Sequence, residues 1–251
     1  MLGLLNEKKY GHRFSLSWRE LKGELNMQVS VESKVLADEI FAGFGEHTKI
    51  RVILKDILLI SMFAVVMILC AQVAIRLPGT LVPITGQTFG VLLAGGALGA
   101  RRGALSMLAY SLIGMFLFPV FAPSSGAITD SLGESGVFHF ILPWSGNNDF
   151  LWNMPSGGYI VGFIVAAFLI GKLAERGWDR KPRILVAMIL GNVAIYAFGL
   201  SWLMYDLKAS VENTLLWGLW PFIPGDALKL VLASMALPGA WALVEKIKRA
   251  D

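Results

Sequence analysis

ILLISMFAVVMILCAQVAI, residues 57–75, contains no charged side chain. A run of this kind is long enough to cross a bilayer as a helix, which takes about 20 apolar residues. Four further uncharged runs follow, at residues 77–100, 103–129, 150–171 and 184–205, and a sixth apolar run at 221–244 carries two charges. Because apolar segments of this length span membranes as helices, the sequence predicts an all-α membrane protein, a compact bundle of six transmembrane helices.

The composition agrees with a membrane location. Hydrophobic residues make up 55% of the 251 residues and charged residues 16%, and the mean hydropathy is +0.63. A soluble domain carries about 25% charged residues. The net charge of +4 comes from basic residues that flank the apolar runs. They form no stripe with interleaved aromatic residues, so the expected surroundings are membrane lipid, and no nucleic-acid partner is expected.

The positions of Lys and Arg predict the orientation, because positive residues accumulate on the cytoplasmic side of short loops. Nineteen of the 22 basic residues lie in the first 56 residues, the second-to-third and fourth-to-fifth connections, and the tail. The opposite connections hold only Arg76 and Lys208, and Lys229 lies in the last run. The pattern predicts two cytoplasmic termini in a multi-pass protein of the cell membrane.

Residues 1–50 are interpreted as a cytoplasmic N-terminal extension, and residues 51–251 as the membrane domain. No secretory signal peptide is visible, because basic residues come before any apolar stretch. Ser17 and Glu20 fit a capping box. An apolar stripe follows at Val35, Leu36, Ile40 and Phe41. The stripe is typical of an amphipathic helix that lies on the inner leaflet or contacts a partner.

Asp226 and Lys229 stand three residues apart at the start of the last apolar run. Ionisable side chains inside a bilayer are costly, so they pair with each other or face a cavity. A cavity here would offer an anion acceptor beside a cation, which suits a small polar solute with a carboxylate. The alternative is structural: Asp226 would cap the helix after Pro224 and Gly225, and Lys229 would extend to the outer surface.

Two outer connections are expected to face the same pocket. Residues 77–88, LPGTLVPITGQT, contain two prolines and the neutral hydrogen-bonding side chains of Thr80, Thr85, Gln87 and Thr88. Irregular backbone at membrane depth is tolerated where it lines a cavity. The long outer loop at about residues 122–156 is rich in aromatic residues and precedes Tyr159. A loop of this length predicts a lid or partial disorder, and an interfacial aromatic belt is the alternative. For residues 77–88 the alternative to a binding loop is an ordinary exposed turn.

Catalytic and metal sites find little support in the sequence. The segment AFLIGKL, residues 167–173, lacks the first Gly and the final Ser or Thr of a phosphate-binding loop, so no ATPase site is expected. The three histidines are scattered, and no metal site is expected. No GxSxG turn surrounds Ser124 or Ser125. The chain is therefore not expected to be an enzyme, and no cofactor is expected.

Four stretches of the chain strongly resemble a known family. They are AQVAIRLPGTLVPITGQTFGVLLAGGALGARRGALSMLAYSLIGMFLFPVFA at residues 71–122, SGGYIVGF at 156–163, AERG at 174–177 and PFIPGDALK at 221–229. The family is BioY, the biotin-specific substrate-binding components (S components) of energy-coupling-factor vitamin importers. The resemblance covers about residues 55–247, and VPITGQT and PGDxxK are its most specific parts. It implies a six-helix S-component bundle that binds biotin with high affinity for import.

The resemblance also implies the site. In this family the acidic and basic residues that open the last helix contact the vitamin, which corresponds to Asp226 and Lys229. An Asp carboxylate can accept from the ureido N–H groups of biotin, and a Lys ammonium can neutralise its valerate tail. Thr85, Gln87 and Tyr159 are expected to supply the remaining polar and stacking contacts.

The resemblance implies partners as well: a membrane coupling (T) subunit and two ATPase subunits. In the family, docking uses an AxxxA pattern on the first helix. Here Ala64 is followed four residues later by Ile68, and the nearest equivalent is Cys70 with Ala74. Two alternatives to biotin import stay open, an S component for another vitamin and an intramembrane enzyme acting on lipid or peptide.

Overall fold

The computed structural model describes residues 35–41, 49–75, 82–123, 138–139, 146–180 and 183–249. Helices dominate this part of the chain. They are α1 (Leu36–Ile40), α2 (Lys49–Gln72), α3 (Gln87–Leu98), α4 (Ala100–Phe116), α5 (Gly157–Leu173), α6 (Ile184–Leu207), α7 (Val211–Gly218) and α8 (Ile223–Lys248). A short 3-10 helix, Leu151–Asn153, precedes α5, and a π-helical turn, Ala174–Trp178, follows it.

Four of these helices are long and apolar enough to cross a membrane: α2, α5 with its π-helical turn, α6 and α8. They contain 22 to 26 residues. At 1.5 Å per residue each exceeds the roughly 30 Å of a hydrocarbon core. α3 and α4 are shorter, with 12 and 17 residues. The chain is therefore a helical, multi-pass integral membrane protein.

In two of the apolar runs, the helix is shorter than the length of the run predicts. In the run at 77–100, α3 begins only at Gln87, and Pro83 lies before it, between a bend at Val82 and the short strand Ile84–Thr85. In the run at 103–129, α4 ends at Phe116, three residues before Pro119. Proline disfavours helical conformation in the residue before it and cannot donate a helical hydrogen bond. The connection to α5 therefore begins near residue 117, not near 122 as the sequence predicts.

A small sheet joins the connection that precedes α3 to the connection between α4 and α5. Its strands are β1 (Ala74–Ile75), β2 (Ile84–Thr85) and β3 (Phe138–His139), in the order β2-β1-β3. Both pairings are antiparallel, and the central Ala74 pairs with Thr85 on one side and with His139 on the other. The loop that leads into α3 is thus hydrogen-bonded through β1 to the long connection between α4 and α5.

α5 is the most deeply buried of the long helices and packs against α3, α4 and α6. Glycines allow the backbones to approach closely. A Cβ on Gly95 of α3 would lie 2.8 Å from the carbonyl oxygen of Ala167, and a Cβ on Gly171 of α5 would overlap the backbone at Ala100. Gly99, which joins α3 to α4, has φ +84°, a conformation that favours glycine.

α1 packs at the end of the bundle opposite the start of α8. It contacts α3 and α8, and Val35, Leu36 and Ala37 are buried there. Of the residues in the predicted apolar stripe, Val35 and Leu36 are buried and Phe41 is partly buried, whereas Ile40 is exposed. Ser17 and Glu20 lie outside the described residues.

Ion pairs hold α1 to three other helices. Asp38 Oδ1 lies 2.7 Å from Arg102 Nη1 of α4 and 3.4 Å from Lys55 Nζ of α2. Arg102 Nε in turn lies 2.8 Å from Asp56 Oδ1. Glu39 pairs with Lys248 at the end of α8. We call α1 with these ion pairs the α1 clasp.

The last half of α8 contains a proline and a buried polar contact. Pro238 lies inside the helix and has no N–H to donate to the preceding turn. Trp241 Nε1 donates to Asp179 Oδ2 over 2.6 Å, and the Arg180 guanidinium lies 4.2 Å from the centre of the Trp241 ring. Asp179 is only 3% exposed, and this burial raises the pKa of its carboxyl above the ordinary value, although the Trp241 hydrogen bond opposes the shift.

Candidate functional site

Asp226 and Lys229 form a direct ion pair in the first turns of α8. The distance from Lys229 Nζ to Asp226 Oδ1 is 2.8 Å, and the two side chains are 16% and 7% exposed. α8 begins at Ile223 with Phe222 at its N-cap, so Asp226 lies within the helix and does not cap it. The structural alternative, a capping Asp226 with an extended Lys229, therefore does not describe this pair.

Two hydroxyl groups from other helices also donate to Asp226. Thr88 Oγ1 of α3 donates to Oδ1 over 3.0 Å, and the Tyr196 hydroxyl of α6 donates to Oδ2 over 2.6 Å. Each carboxylate oxygen is thus held from a different side. Hydrogen bonds to an ionised acceptor are about twice as strong as those between neutral groups, so this arrangement fixes the orientation of the Asp226 side chain.

Thr85 and Gln87 form a second polar group where β2 leads into α3. Thr85 Oγ1 donates to Gln87 Oε1 over 2.9 Å, and Gln87 Nε2 donates to the Tyr110 hydroxyl over 2.8 Å. Gln87 is buried. Its amide retains one further N–H, since each amide nitrogen carries two donors.

Tyr159, near the start of α5, presents its ring and not its hydroxyl. The hydroxyl donates to the Gly218 carbonyl at the end of α7 over 2.8 Å. The ring stacks with Phe222 at 26° and 6.4 Å between centroids, and meets the Tyr196 ring edge-on at 6.4 Å. Tyr159 is therefore suited to an apolar or stacking contact.

These residues line one cleft between the helices. All five residues that the sequence proposes for the site lie on its surface: Thr85, Gln87, Tyr159, Asp226 and Lys229. The cleft contains about 550 Å³ of space free of protein atoms, its open mouth included. Asp226 and Lys229 are the charged residues among the described lining.

Other lining residues were not assigned to the site from the sequence. Thr88 belongs to the loop that the sequence predicts near the pocket, but nothing in the pattern distinguishes it from its neighbours. Tyr196 lies within a continuous apolar run, and Phe222 precedes PGDxxK. The only available signal for Tyr196 is a polar group in a membrane-spanning helix.

A mostly apolar cleft with a buried ion pair at its wall is typical of a membrane protein that binds a small molecule. The model of the BioY family matches residues 42–141 and 146–246. The chain belongs to the BioY family.

Individual relatives agree. The biotin transporter BioY of Rhizobium etli is 31% identical over 190 residues, which cover 72% of this chain and 90% of the relative. The biotin transporter BioY of Rhodobacter capsulatus is 32% identical over 194 residues, with the same two coverages of 72% and 90%.

A solved structure shares the fold. It is described as the crystal structure of the S-component for biotin from an ECF-type ABC transporter, and it aligns with a TM-score of 0.61 at 23% identity. The alignment covers 76% of this chain and 92% of the other.

Proposed function

We propose that this protein binds biotin in the cleft at the start of α8 and is the substrate-specific subunit of a biotin importer in the plasma membrane. The observation that carries this proposal is the agreement between family membership and the cleft. In the cleft the family's acidic and basic pair is present, with Asp226 buried and Lys229 partly buried, and Asp226 accepts from two hydroxyl groups. Biotin is the transported ligand and not a cofactor. Relatives that are named transporters support a function without catalysis.

In this proposal, four of the site residues make polar contacts to the ligand and the fifth makes an apolar contact. Asp226 and Lys229 supply charge, Thr85 and Gln87 supply neutral hydrogen bonds, and the Tyr159 ring packs on the apolar part of the ligand. All five line the cleft.

The proposed topology has six membrane segments and two cytoplasmic termini. α3 and α4 then count as shorter segments that share the membrane with α2, α5, α6 and α8. The asymmetric distribution of Lys and Arg supports this orientation. Residues 1–50 form the cytoplasmic extension, the membrane domain comprises residues 51–251, and the long connection before α5 lies on the outer side.

A membrane coupling subunit and two ATPase subunits are proposed to energise import. The family's docking pattern of small residues has no exposed equivalent on α2: Ala64 is buried, as is Ala74 in β1 beyond its end. The exposed apolar side chains of α2, among them Leu58, Met62 and Val65, are the proposed docking face. Lipid covers this face when the coupling subunit is absent.

Equilibrium binding of labelled biotin to the purified subunit tests the proposed function. Saturable binding that unlabelled biotin competes, and that other vitamins do not, is the expected result. Competition by another vitamin at lower concentration would identify an S component for that vitamin instead. Turnover of a lipid or peptide by the intact subunit would favour the intramembrane enzyme.

A further inference from the structure

α1 lies outside the residues that define the family. The family model matches the chain from residue 42 onward, whereas α1 with its two flanking residues spans Val35 to Phe41. Three of its side chains are nevertheless buried, since Val35, Leu36 and Ala37 are at most 5% exposed. α1 is therefore a contact that this chain adds to the matched bundle.

The apolar side of α1 reaches two long helices. α2 and α8 both pack on α3 and have little contact with each other in the described part of the chain. Leu36 of α1 belongs to the same apolar cluster as Trp241 of α8, and Ala37 belongs to a second cluster with Leu59 of α2. α1 thus bridges the last turns of α8 and the first half of α2.

The ion pairs of the α1 clasp join the same two helices. Asp38 Oδ1 lies 3.4 Å from Lys55 Nζ of α2, and Glu39 pairs with Lys248 of α8. The Asp38 side chain is 33% exposed and the Lys248 side chain 49%. Water therefore reaches both pairs, and ion pairs of this kind are individually weak. A contact built from weak pairs and three small apolar anchors can open while the rest of the bundle stays folded.

α2 and α8 serve different parts of the proposed function. α8 carries Asp226 and Lys229 in its first turns, and the exposed side of α2 is the proposed docking face for the coupling subunit. From Lys229 to Lys248 the helix is about 28 Å long, at 1.5 Å per residue. No residue of α1 is among the described lining of the cleft. The α1 clasp therefore restrains the movement of α2 relative to α8 and does not touch a ligand in the cleft.

We propose that the α1 clasp is an autoinhibitory contact. When closed, it holds α2 to the end of α8 and slows the step of import that follows biotin binding, and it opens when the coupling subunit engages α2. A contact that is present at rest and absent while the helices move stabilises the resting state alone, so it raises the barrier of that step. This inference rests on the proposed function, and it predicts a change in the rate of uptake without a change in affinity.

Removing the charges of α1 should accelerate import. In Asp38→Asn/Glu39→Gln, we expect the initial rate of biotin uptake to rise about three- to tenfold in cells that contain the coupling and ATPase subunits, because the weak ion pairs no longer hold the clasp. The dissociation constant of biotin for the purified subunit should stay within about twofold of the wild-type value. Lys172→Gln is the matched control, because its exposed ion pair with Glu175 lies at the same end of the bundle and does not involve α1.

Locking the α1 clasp should have the opposite effect. Glu39→Cys and Lys248→Cys are combined in a Cys70→Ala background, since Cys70 is the single cysteine, and are joined by a membrane-permeant bismaleimide. Uptake should exceed the wild-type rate before cross-linking and fall about tenfold or more below it afterwards. Biotin binding to the cross-linked subunit should be unchanged. The two single-cysteine variants, treated with the same reagent, control for the modification itself.

The possible outcomes separate this inference from the proposed function. Uptake at the wild-type rate in both the charge-free and the cross-linked subunit would show that the α1 clasp serves only the fold. Slower uptake by folded Asp38→Asn/Glu39→Gln would show that the clasp promotes import, which also overturns the inference. In both cases the subunit still binds biotin, whereas a wild-type subunit without saturable biotin binding would refute the proposed function. Melting temperatures verify folding, and the cross-linked subunit decides the question if the charge-free variant does not fold.

Discussion

At the scale of single residues, the Asp226 carboxylate is the centre of the site. It accepts hydrogen bonds from Lys229, Thr88 and Tyr196. A carboxylate has about four acceptor positions, so one remains for a ligand. The protein thus holds the side chain in place before any ligand arrives, which lowers the entropic cost of binding.

Asp226→Asn and Lys229→Ala should each weaken biotin binding and leave the protein inserted and folded. Either change leaves the other charge without its partner, a cost of about 2–5 kcal/mol for a buried pair. Binding isotherms give the affinity, and thermal unfolding in detergent gives the stability. Glu212→Gln, on the exposed first turn of α7, is the control. Unchanged affinity in both site variants would show that the pair serves only the fold.

Asp179 predicts a dependence of stability on pH. Because burial raises the pKa of its carboxyl in the folded protein, the folded state holds the proton more tightly than the unfolded state does. The contribution to stability is therefore complete below the ordinary pKa and is lost as pH rises through the raised value. Asp179→Asn still offers an oxygen to Trp241 and cannot ionise. The melting temperature, measured from pH 4 upward, should fall more steeply with pH for the wild type than for Asp179→Asn. Parallel pH dependences would contradict this prediction.

The residues that could be predicted from the sequence are those with a local signal. Asp226 and Lys229 are conspicuous because they interrupt an apolar run, and Thr85, Gln87 and Tyr159 lie in stretches that resemble the family. Tyr196 carries no such signal: its role follows from a contact thirty residues along the chain, between α6 and α8. Similarly, no pattern in the sequence shows that the Tyr159 hydroxyl donates a hydrogen bond to the Gly218 carbonyl.

At the scale of elements, close helix packing depends on particular glycines. Gly171→Ala should destabilise the protein by about 1–3 kcal/mol, because its methyl group would overlap the backbone at Ala100 where α5 meets α4. Gly239→Ala in α8 is the matched control, since a Cβ there meets no atom within 4 Å. It should be neutral or stabilise by up to about 1 kcal/mol. Thermal unfolding of both variants tests the difference, and equal melting temperatures would refute it.

The α1 clasp should contribute measurably to stability. Asp38→Asn removes the charge that Arg102 and Lys55 contact. Because these groups are partly exposed, we expect a loss of about 1–2 kcal/mol. Asp206→Asn, at an exposed position near the end of α6, provides the control. If unfolding in detergent gives the same midpoint for both variants, the ion pairs of the clasp do not stabilise the bundle.

Hydropathy predicts helices better than it predicts their ends. The run at 184–205 agrees closely with α6, Ile184–Leu207, because no proline interrupts it. In the run at 77–100, the described residues 82–86 are not helical and α3 begins only at Gln87, since an apolar loop and an apolar helix have the same hydropathy. The sheet could not be predicted either, because two-residue strands are too short to show an alternating pattern.

At the scale of the whole molecule, the distribution of charge predicts the orientation in the membrane. Cys70 is the single cysteine, so a Cys70→Ala background allows labelling at chosen sites. Arg101→Cys, in the first turn of α4, and Glu212→Cys, on α7, both lie at exposed positions. In intact cells, a membrane-impermeant maleimide should label only Glu212→Cys, and Arg101→Cys should react only after lysis. The reverse pattern would invert the proposed topology.

Pro238 determines where α8 bends most easily. The helix carries the ion pair of the cleft near its first turn and Lys248 of the α1 clasp in its last, and Pro238 lies between them. One carbonyl of the preceding turn lacks its usual helical partner, so resistance to bending is lowest at this point. Bending of α8 therefore costs least at Pro238, between the half that carries the Asp226–Lys229 pair and the half that ends in the α1 clasp.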